Sequence, residues 1–287
     1  LYYQLQYLKK YKNQLHYLDS AYVDFVKASE LRFKTGETYL LEKTTAQTKQ
    51  GQIKLQLIQN ESEIKASFAS LSALLNIKEE FEVNEPINFE PLSVSSSFDT
   101  SLIANNPSLK LMYQNAIISE KNKRVEIAQS LPDFSIGYFN QSLMGVQSIN
   151  SQDVYFDRSK RFTGINAGIA IPLTFFSNSA KVKALSFEQQ SLIKETENNK
   201  LILLSQLQNA FQQYYQSLSQ YNYYKLTALQ NASTIINTAK LNFSSGLIGY
   251  IEYLQALQTV TEVQLGYLQS INQVNQSVIN INYLTNK

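Results

Sequence analysis

The sequence has 287 residues, 44% of them hydrophobic and 17% charged, with no Cys, no Trp and one His. Without Cys these residues offer no disulfide, thiolate ligand or cysteine nucleophile, and one His with two Met leaves almost no soft metal ligands, so no metal site or cofactor is predicted. The net charge of +2 comes from Lys and Arg that are scattered along the chain, which argues against nucleic-acid binding.

Residues 1–77 form the first predicted domain, an αα-hairpin. Leucines recur at helical spacing from Leu1 to Leu18 with no capping residue before them, so a helix that is already under way at Leu1 is predicted to run to about residue 33. Gly36 favours the left-handed conformation that ends helices. The second helix, over about 38–77, has a core row at steps of three and four residues: Ile53, Leu57, Asn60, Ile64, Phe68, Leu71 and Leu75.

Residues 78–105 contain two prolines and a serine cluster, and this composition is typical of a connector. The third predicted domain, residues 106–287, begins with a helix. Asn106 is its expected N-cap and Pro107 its first helical residue, because the fixed φ of proline suits that position. Pro132 ends this helix.

The hydrophobic period changes after Pro132. Apolar residues at 134, 136 and 138 alternate with Ser135 and Gly137, which predicts a strand. After a polar loop carrying Asp153, Asp157, Arg158, Lys160 and Arg161, a second strand is predicted with one face formed by Ile165, Ala167, Ile169 and Ile171 and the other by Asn166, Gly168 and Ala170. The two strands form a predicted β-hairpin at 134–173, edged by aromatic residues as in outer-membrane strands.

The remaining residues predict two long helices separated by a turn at 244–249. No Pro or Gly occurs between Ser179 and Ser244, so one uninterrupted helix is expected there. The last helix has two apolar rows, which predict contacts on two sides: Val260, Val263, Tyr267, Ile271, Val274, Val278 and Ile281 in the first, and Leu254, Leu257, Leu265 and Leu268 in the second.

One stretch occurs twice. Residues 31–47, LRFKTGETYLLEKTTAQ, match 241–257, LNFSSGLIGYIEYLQAL, at a constant offset of 210 positions. The identical pairs are Leu31 with Leu241, Phe33 with Phe243, Gly36 with Gly246, Glu42 with Glu252 and Ala46 with Ala256, and Leu41 matches Ile251 in kind. A tandem duplication of a helical hairpin explains this pattern.

The order of these elements resembles that of the TolC-like outer-membrane efflux proteins over essentially the whole chain. The resemblance is carried by Leu131, Pro132 and Asp133 before the first strand, by Ile171, Pro172 and Leu173 after the second, and by two turns in which an acid follows Gly at the sixth position. It implies a mainly α fold with a β-hairpin, in which long antiparallel coiled-coil helices form a periplasmic tunnel and the strands join a trimeric outer-membrane β-barrel.

This resemblance also implies a function and partners. The expected function is a passive exit duct of a tripartite efflux pump for small molecules or metal ions, located in the outer membrane and extending into the periplasm. The implied partners are two further copies in a homotrimer, a periplasmic adaptor protein, an inner-membrane pump of the resistance-nodulation-division type and outer-membrane lipid. Because such proteins supply more strands per protomer than the two predicted here, an N-terminal part is expected upstream of Leu1.

The resemblance assigns three groups of candidate residues. Glu42 and Glu252 match acids at the closed end of the tunnel, although either can equally be a solvated charge on a helix. The adaptor-docking turns comprise Thr35, Gly36, Ser244, Ser245, Gly246 and Gly249. The lipid-facing strand residues are Ile165, Ala167, Ile169 and Ile171.

The sequence also allows other site and function assignments. His16 has no second ligand at metal-binding spacing, and the tyrosines at 214–224 favour helix packing over ligand stacking. No paired carboxylates, Ser–His arrangement or phosphate-binding glycine loop is present, so no enzyme is predicted. A purely structural coiled-coil protein is the alternative function, which the β-hairpin disfavours, and a type I protein-secretion channel has the same implied fold.

Overall fold

The computed structural model describes residues 1–37, 39–77, 83, 89–95, 97–173 and 175–287. The chain divides into two compact units. Unit 1 comprises Leu1–Ile103 and Leu203–Lys287, and unit 2 comprises Ala104–Ile202. Unit 1 therefore combines residues from the beginning and the end of the chain.

Unit 1 is built mainly from two helical hairpins. Their helices are α1 (Tyr2–Lys34), α2 (Leu40–Leu75), the C-terminal part of α4 (Phe175–Tyr223), α5 (Leu229–Ser244) and α6 (Tyr250–Thr285). The α1 helix packs against both α2 and α6, and α5 packs against α6. Two hydrogen bonds fix the antiparallel register of α1 and α6, from Gln14 to Gln264 (2.8 Å) and from Asn272 to Gln4 (3.0 Å).

The core of unit 1 lies where the two hairpins meet. It is formed by Leu15, Leu18, Tyr22 and Phe25 of α1, Ala46 and Ile53 of α2, and Tyr250, Leu254 and Leu257 of α6. The predicted row on α2 is only partly correct, because Ile64, Phe68 and Leu71 are half-buried and Leu75 is exposed. Among the described residues, α2 makes its main contacts with α1 and few with α6, so its C-terminal half is less covered.

The predicted uninterrupted α-helix at 179–244 begins earlier and contains a π-helical segment. The α4 helix starts at Phe175, and residues Tyr224–Ala228 are π-helical before α5 begins. The Tyr224 ring lies against Gly266 of α6, where an added Cβ would be 2.5 Å from the Tyr224 hydroxyl oxygen. Because Gly266 has no side chain, α6 leaves space at this position, and the Tyr224 ring occupies it.

Both predicted rows on α6 are largely buried. Ile271, Val274 and Val278 form a second cluster with Tyr221 of α4, and described residues of the connector, including Leu92 and Val94, pack against it. The Leu92 N–H donates to the Asn275 side-chain oxygen (2.6 Å). Connector residues 78–82, 84–88 and 96 lie outside the described part of the chain, and its end forms a short 3-10 helix, Thr100–Asn105.

Unit 2 contains α3 (Pro107–Gln129), the first part of α4 and four strands. The predicted start of α3 is confirmed, because the Asn106 side-chain oxygen accepts from the N–H groups of Ser108 (2.9 Å) and Leu109 (3.3 Å). The strands are β1 (Asp133–Gln141), β2 (Gly145–Ile149), β3 (Gln152–Phe156) and β4 (Phe162–Ala170).

The predicted hairpin is present, with two corrections. Strands β1 and β4 pair antiparallel, with Phe134 opposite Ile169 and Tyr138 opposite Ile165. The segment predicted to be a polar loop contains a second antiparallel pair, β2 with β3, which is joined by a turn at residues 150–151. Ile171 lies just beyond the last residue of β4, because the strand ends before Pro172, which lacks the N–H that a ladder requires.

Candidate docking turns and gate

The first candidate site is the turn between α1 and α2. Gly36 has a φ of +76°, and its N–H donates to the Phe33 carbonyl (3.2 Å) while the Glu37 N–H donates to the Arg32 carbonyl (2.8 Å). This pattern satisfies the free carbonyls at the end of α1 and requires a left-handed residue, which glycine adopts without steric cost. The predicted role of Gly36 as a helix-ending turn is confirmed.

The second turn, between α5 and α6, repeats this geometry. Gly246 has a φ of +77°, its N–H donates to the Phe243 carbonyl (3.2 Å), and the Leu247 N–H donates to the Asn242 carbonyl (2.8 Å). The Ser245 hydroxyl donates to the Leu241 carbonyl (3.0 Å), as the Thr35 hydroxyl donates to the Leu31 carbonyl (3.3 Å). The doubled stretch in the sequence is therefore the same turn built twice.

Both turns expose a matching pair of apolar side chains. Leu31 and Leu241 are 64% and 69% exposed, and Leu41 and Ile251 are 70% and 66% exposed. Each turn therefore carries at least one exposed apolar residue at the end of the helix before it and at least one at the start of the helix after it. These positions were visible as matched pairs in the repeat, but they were not among the predicted site residues.

A cluster of stacked aromatic rings holds the two turns at the same end of unit 1. The Phe25 ring of α1 stacks on Tyr250 at 4.6 Å between centroids, and Phe243 stacks on Tyr253 at 4.7 Å. The two stacks are joined by Phe25 and Phe243, at 6.4 Å. Arg32, near the end of α1, lies 5.6 Å above the Phe243 ring. The sequence pattern identified the turns but not this cluster.

The two candidate gate acids occupy equivalent positions in the first turns of α2 and α6. The Glu252 carboxylate accepts from the Gly249 N–H (2.5 Å) and so caps the start of α6. The backbone carbonyl of Glu42 accepts from the Tyr250 hydroxyl (2.5 Å), and burial together with the Glu42 charge raises the pKa of that hydroxyl. A carboxylate is also stabilised at a helix N-terminus by the helix dipole. Tyr250 therefore connects the beginnings of the two helices.

The six predicted turn residues are all exposed, but they differ in geometry. The left-handed residues are Gly36 and Gly246, and each follows a helix-ending hydroxyl residue, Thr35 or Ser245. Ser244 is the last residue of α5. Gly249 is the N-cap of α6 with an ordinary φ of −81°. Gly249 has no side chain that could cap the helix, and the Glu252 carboxylate caps it instead.

The β1–β4 ribbon in unit 2 has two contrasting faces. Ile165, Ala167 and Ile169 lie opposite Tyr138, Ile136 and Phe134, and most of this apolar face is exposed. On the other face, side chains cover glycines of the paired strand: an added Cβ would lie 2.5 Å from Asn166 Oδ1 at Gly137 and 2.6 Å from the Phe139 ring at Gly164. The predicted alternation is thus present.

The sequence profile of the outer membrane efflux protein family matches residues 100–287. The chain belongs to this family. Family membership assigns it to the outer membrane. No curated protein matches its sequence.

Solved structures of several outer-membrane proteins have the same fold. The outer-membrane channel OprN shares 16% identity over 99% of this chain, with a TM-score of 0.80. The outer membrane protein VceC from Vibrio cholerae shares 16% over 99%, with a TM-score of 0.79. The open-state MtrE outer membrane channel of Neisseria gonorrhoeae shares 12% over 99%, with a TM-score of 0.79. The chain spans 64% of OprN, 67% of VceC and 64% of MtrE.

None of the described helices combines the length and apolarity that a membrane span requires. Within the same residues, no three His, Cys, Asp or Glu side chains cluster closely enough to hold a metal ion.

Proposed function

We propose that this chain is part of an outer-membrane exit duct of a tripartite efflux pump. Its role is a passive conduit for small molecules or metal ions, driven by an inner-membrane transporter of the resistance-nodulation-division type. The observation that supports this role most directly is the pair of equivalent turns at one end of unit 1, each with an exposed apolar residue on either side. The family assignment favours this role over that of a purely structural coiled-coil protein.

The turns are the proposed docking site for a periplasmic adaptor. Leu31, Leu41, Leu241 and Ile251 are all more than half exposed, and exposed apolar groups gathered at one end of a helical unit are typical of protein interfaces. An added Cβ at Gly36 or Gly246 would meet no atom within 4 Å, so the backbone is open to a partner at both turns. In a trimer, three copies would present six such turns.

Glu42 and Glu252 are the proposed gate at the same end. The acids begin two neighbouring helices that Tyr250 links, so they lie close behind the turns. Three copies of such a pair would concentrate negative potential at the narrow end of the duct, which favours the passage of cations. The capping bond of Glu252 keeps its carboxylate at the start of α6.

The β1–β4 ribbon is the part of this chain that we propose to lie in the outer membrane. In this proposal Ile165, Ala167, Ile169 and Ile171 face lipid, and the glycine-containing face looks towards the lumen. Two strands from each of three protomers are fewer than the roughly eight of the smallest membrane barrels. We therefore propose that additional strands come from the part of the protein beyond this chain.

A resistance assay with charged turn variants tests the proposal. A deletion strain is complemented with the full-length gene carrying Leu241→Glu and Ile251→Glu, and the control carries Leu241→Val and Ile251→Val, which keep the surface apolar. We expect the Glu variant to lose drug or metal resistance while its trimer content in the outer membrane is normal, and the Val variant to restore resistance. Full resistance with the Glu variant contradicts docking at these turns, and export of a protein substrate instead would indicate a secretion channel.

A further inference from the structure

Apart from the turns, three helices of unit 1 line a polar cavity of about 280 Å³ that is partly open to solvent. Its walls include Tyr7 and Tyr11 of α1, Gln56, Asn60 and Glu63 of α2, and Gln269 of α6. At roughly 30 Å³ per water molecule, the cavity has room for about nine waters or one small organic molecule.

Two side chains of α2 that line this cavity have buried amide atoms without hydrogen-bond partners among the described residues. Asn60 is only 3% exposed, yet neither its nitrogen nor its oxygen has a partner among the described residues. One helical turn earlier, the Gln56 side-chain oxygen is also buried and unpaired. Buried amides are nearly always hydrogen-bonded, because an unpaired amide loses its bonds to water without replacement. The cavity therefore has groups that a bound molecule can satisfy.

The charge and the rings of the cavity restrict the ligand class. Glu63 lies one turn after Asn60 and is the one charged side chain among the described residues that line the cavity, so it makes the cavity negative. The Tyr7 and Tyr11 rings are 5.5 Å apart and tilted by 46°. Burial, together with the Glu63 charge, raises the pKa of both hydroxyls, so the phenols stay neutral at neutral pH. A carboxylate beside electron-rich ring faces attracts a cation.

We propose that this cavity binds a small organic cation with a protonated amine. The ammonium group is held by the Glu63 carboxylate, the side-chain oxygens of Gln56 and Asn60, and the ring faces of Tyr7 and Tyr11. The Asn60 N–H₂ group then donates to water beside the bound molecule. A single carboxylate is too few for tight binding of a divalent cation, and Glu63 repels anions. This binding site goes beyond the proposed conduit role, which does not require it.

Calorimetric titration of the purified full-length trimer tests the site. The probe is phenethylammonium chloride, and 2-phenylethanol is the neutral control of similar shape. We expect saturable binding of the ammonium probe at one site per chain and no measurable binding of the alcohol. Glu63→Gln and Asn60→Leu should each weaken binding at least tenfold. Glu61→Gln is the matched control on the same helix, because the Glu61 carboxylate faces Lys12 (2.8 Å) outside the cavity, and it should bind as wild type does.

Three results would overturn the proposal: no saturable binding, equal binding of the alcohol, or unchanged affinity in Glu63→Gln. The first is also the result expected if a neighbouring copy or the remainder of the protein fills the cavity. Because Glu63 is exposed and its substitution leaves the fold intact, this variant decides the question even if Asn60→Leu does not assemble. Normal efflux without binding refutes only this site, whereas binding without efflux refutes only the proposed function.

Discussion

Gly246→Ala isolates the cost of the left-handed backbone at the second turn. Gly246 has a φ of +77°, and an added Cβ would meet no atom within 4 Å, so the substitution adds backbone strain without a clash. A left-handed L-residue costs roughly 1–2 kcal/mol. The reduced freedom of the unfolded chain returns roughly 0.4–1 kcal/mol. The expected net destabilisation is therefore about 1 kcal/mol.

Gly51→Ala provides the control, because Gly51 lies inside α2 and an added Cβ there also meets nothing within 4 Å. Alanine is favoured over glycine inside a helix by roughly 0.5–1 kcal/mol, so this variant should be more stable than wild type. Thermal unfolding of the purified full-length protein, followed by circular dichroism, measures both changes. Gly36→Ala, at φ +76°, should match Gly246→Ala. A shift of the same sign for Gly51→Ala and Gly246→Ala would refute the assigned turn conformation.

Three more substitutions test other parts of the structure. Gly266→Ala should destabilise the protein by about 1 kcal/mol, because the added methyl group meets the Tyr224 ring. A double-mutant cycle with Tyr224→Ala should show coupling between the two substitutions, and additive effects would contradict that contact. Glu252→Ala removes the cap of α6, which should lower the free energy of unfolding by about 1 kcal/mol. In conductance recordings the same variant should make the closed duct leakier to cations. Unchanged stability and unchanged leakage would contradict the capping role and the gate role. Ile169→Arg should make assembly in the membrane less favourable by about 2–4 kcal/mol, whereas Asn166→Arg on the opposite face should have a much smaller effect. Equal assembly of the two variants would contradict the assignment of the lipid-facing side.

The hairpin turns and the helix rows could be predicted because their causes are local in sequence. Gly36 and Gly246 each combine a helix-ending residue with a repeated context, and both adopt the expected left-handed conformation. The two apolar rows on α6 follow from the spacing of its apolar residues alone. The two faces of the β1–β4 ribbon follow from apolar residues that recur at every second position. In each case the residues themselves determine which face is apolar.

The features that were missed depend on residues far apart in sequence or on weak turn signals. The π-helical segment has no Pro or Gly of its own, and the contact that it makes through Tyr224 is with Gly266 on another helix. The β2–β3 pair turns at Asn150 and Ser151, both with positive φ, and serine at such a position is a weaker hairpin signal than glycine. The capping role of Glu252 was hidden because Gly249, the N-cap, has no side chain.

Thiol-directed crosslinking at the second turn tests the docking account most directly. The sequence has no Cys, so Ser245→Cys introduces a single thiol into these residues, and a maleimide–benzophenone reagent on it captures whatever protein contacts the turn. Tyr17→Cys is the control, an exposed position on α1 about 27 Å along the helix axis from Thr35. We expect Ser245→Cys to crosslink to the periplasmic adaptor in cells that contain the pump, and Tyr17→Cys not to. Equal capture at both positions, or no adaptor capture at Ser245→Cys while efflux is normal, would contradict the account.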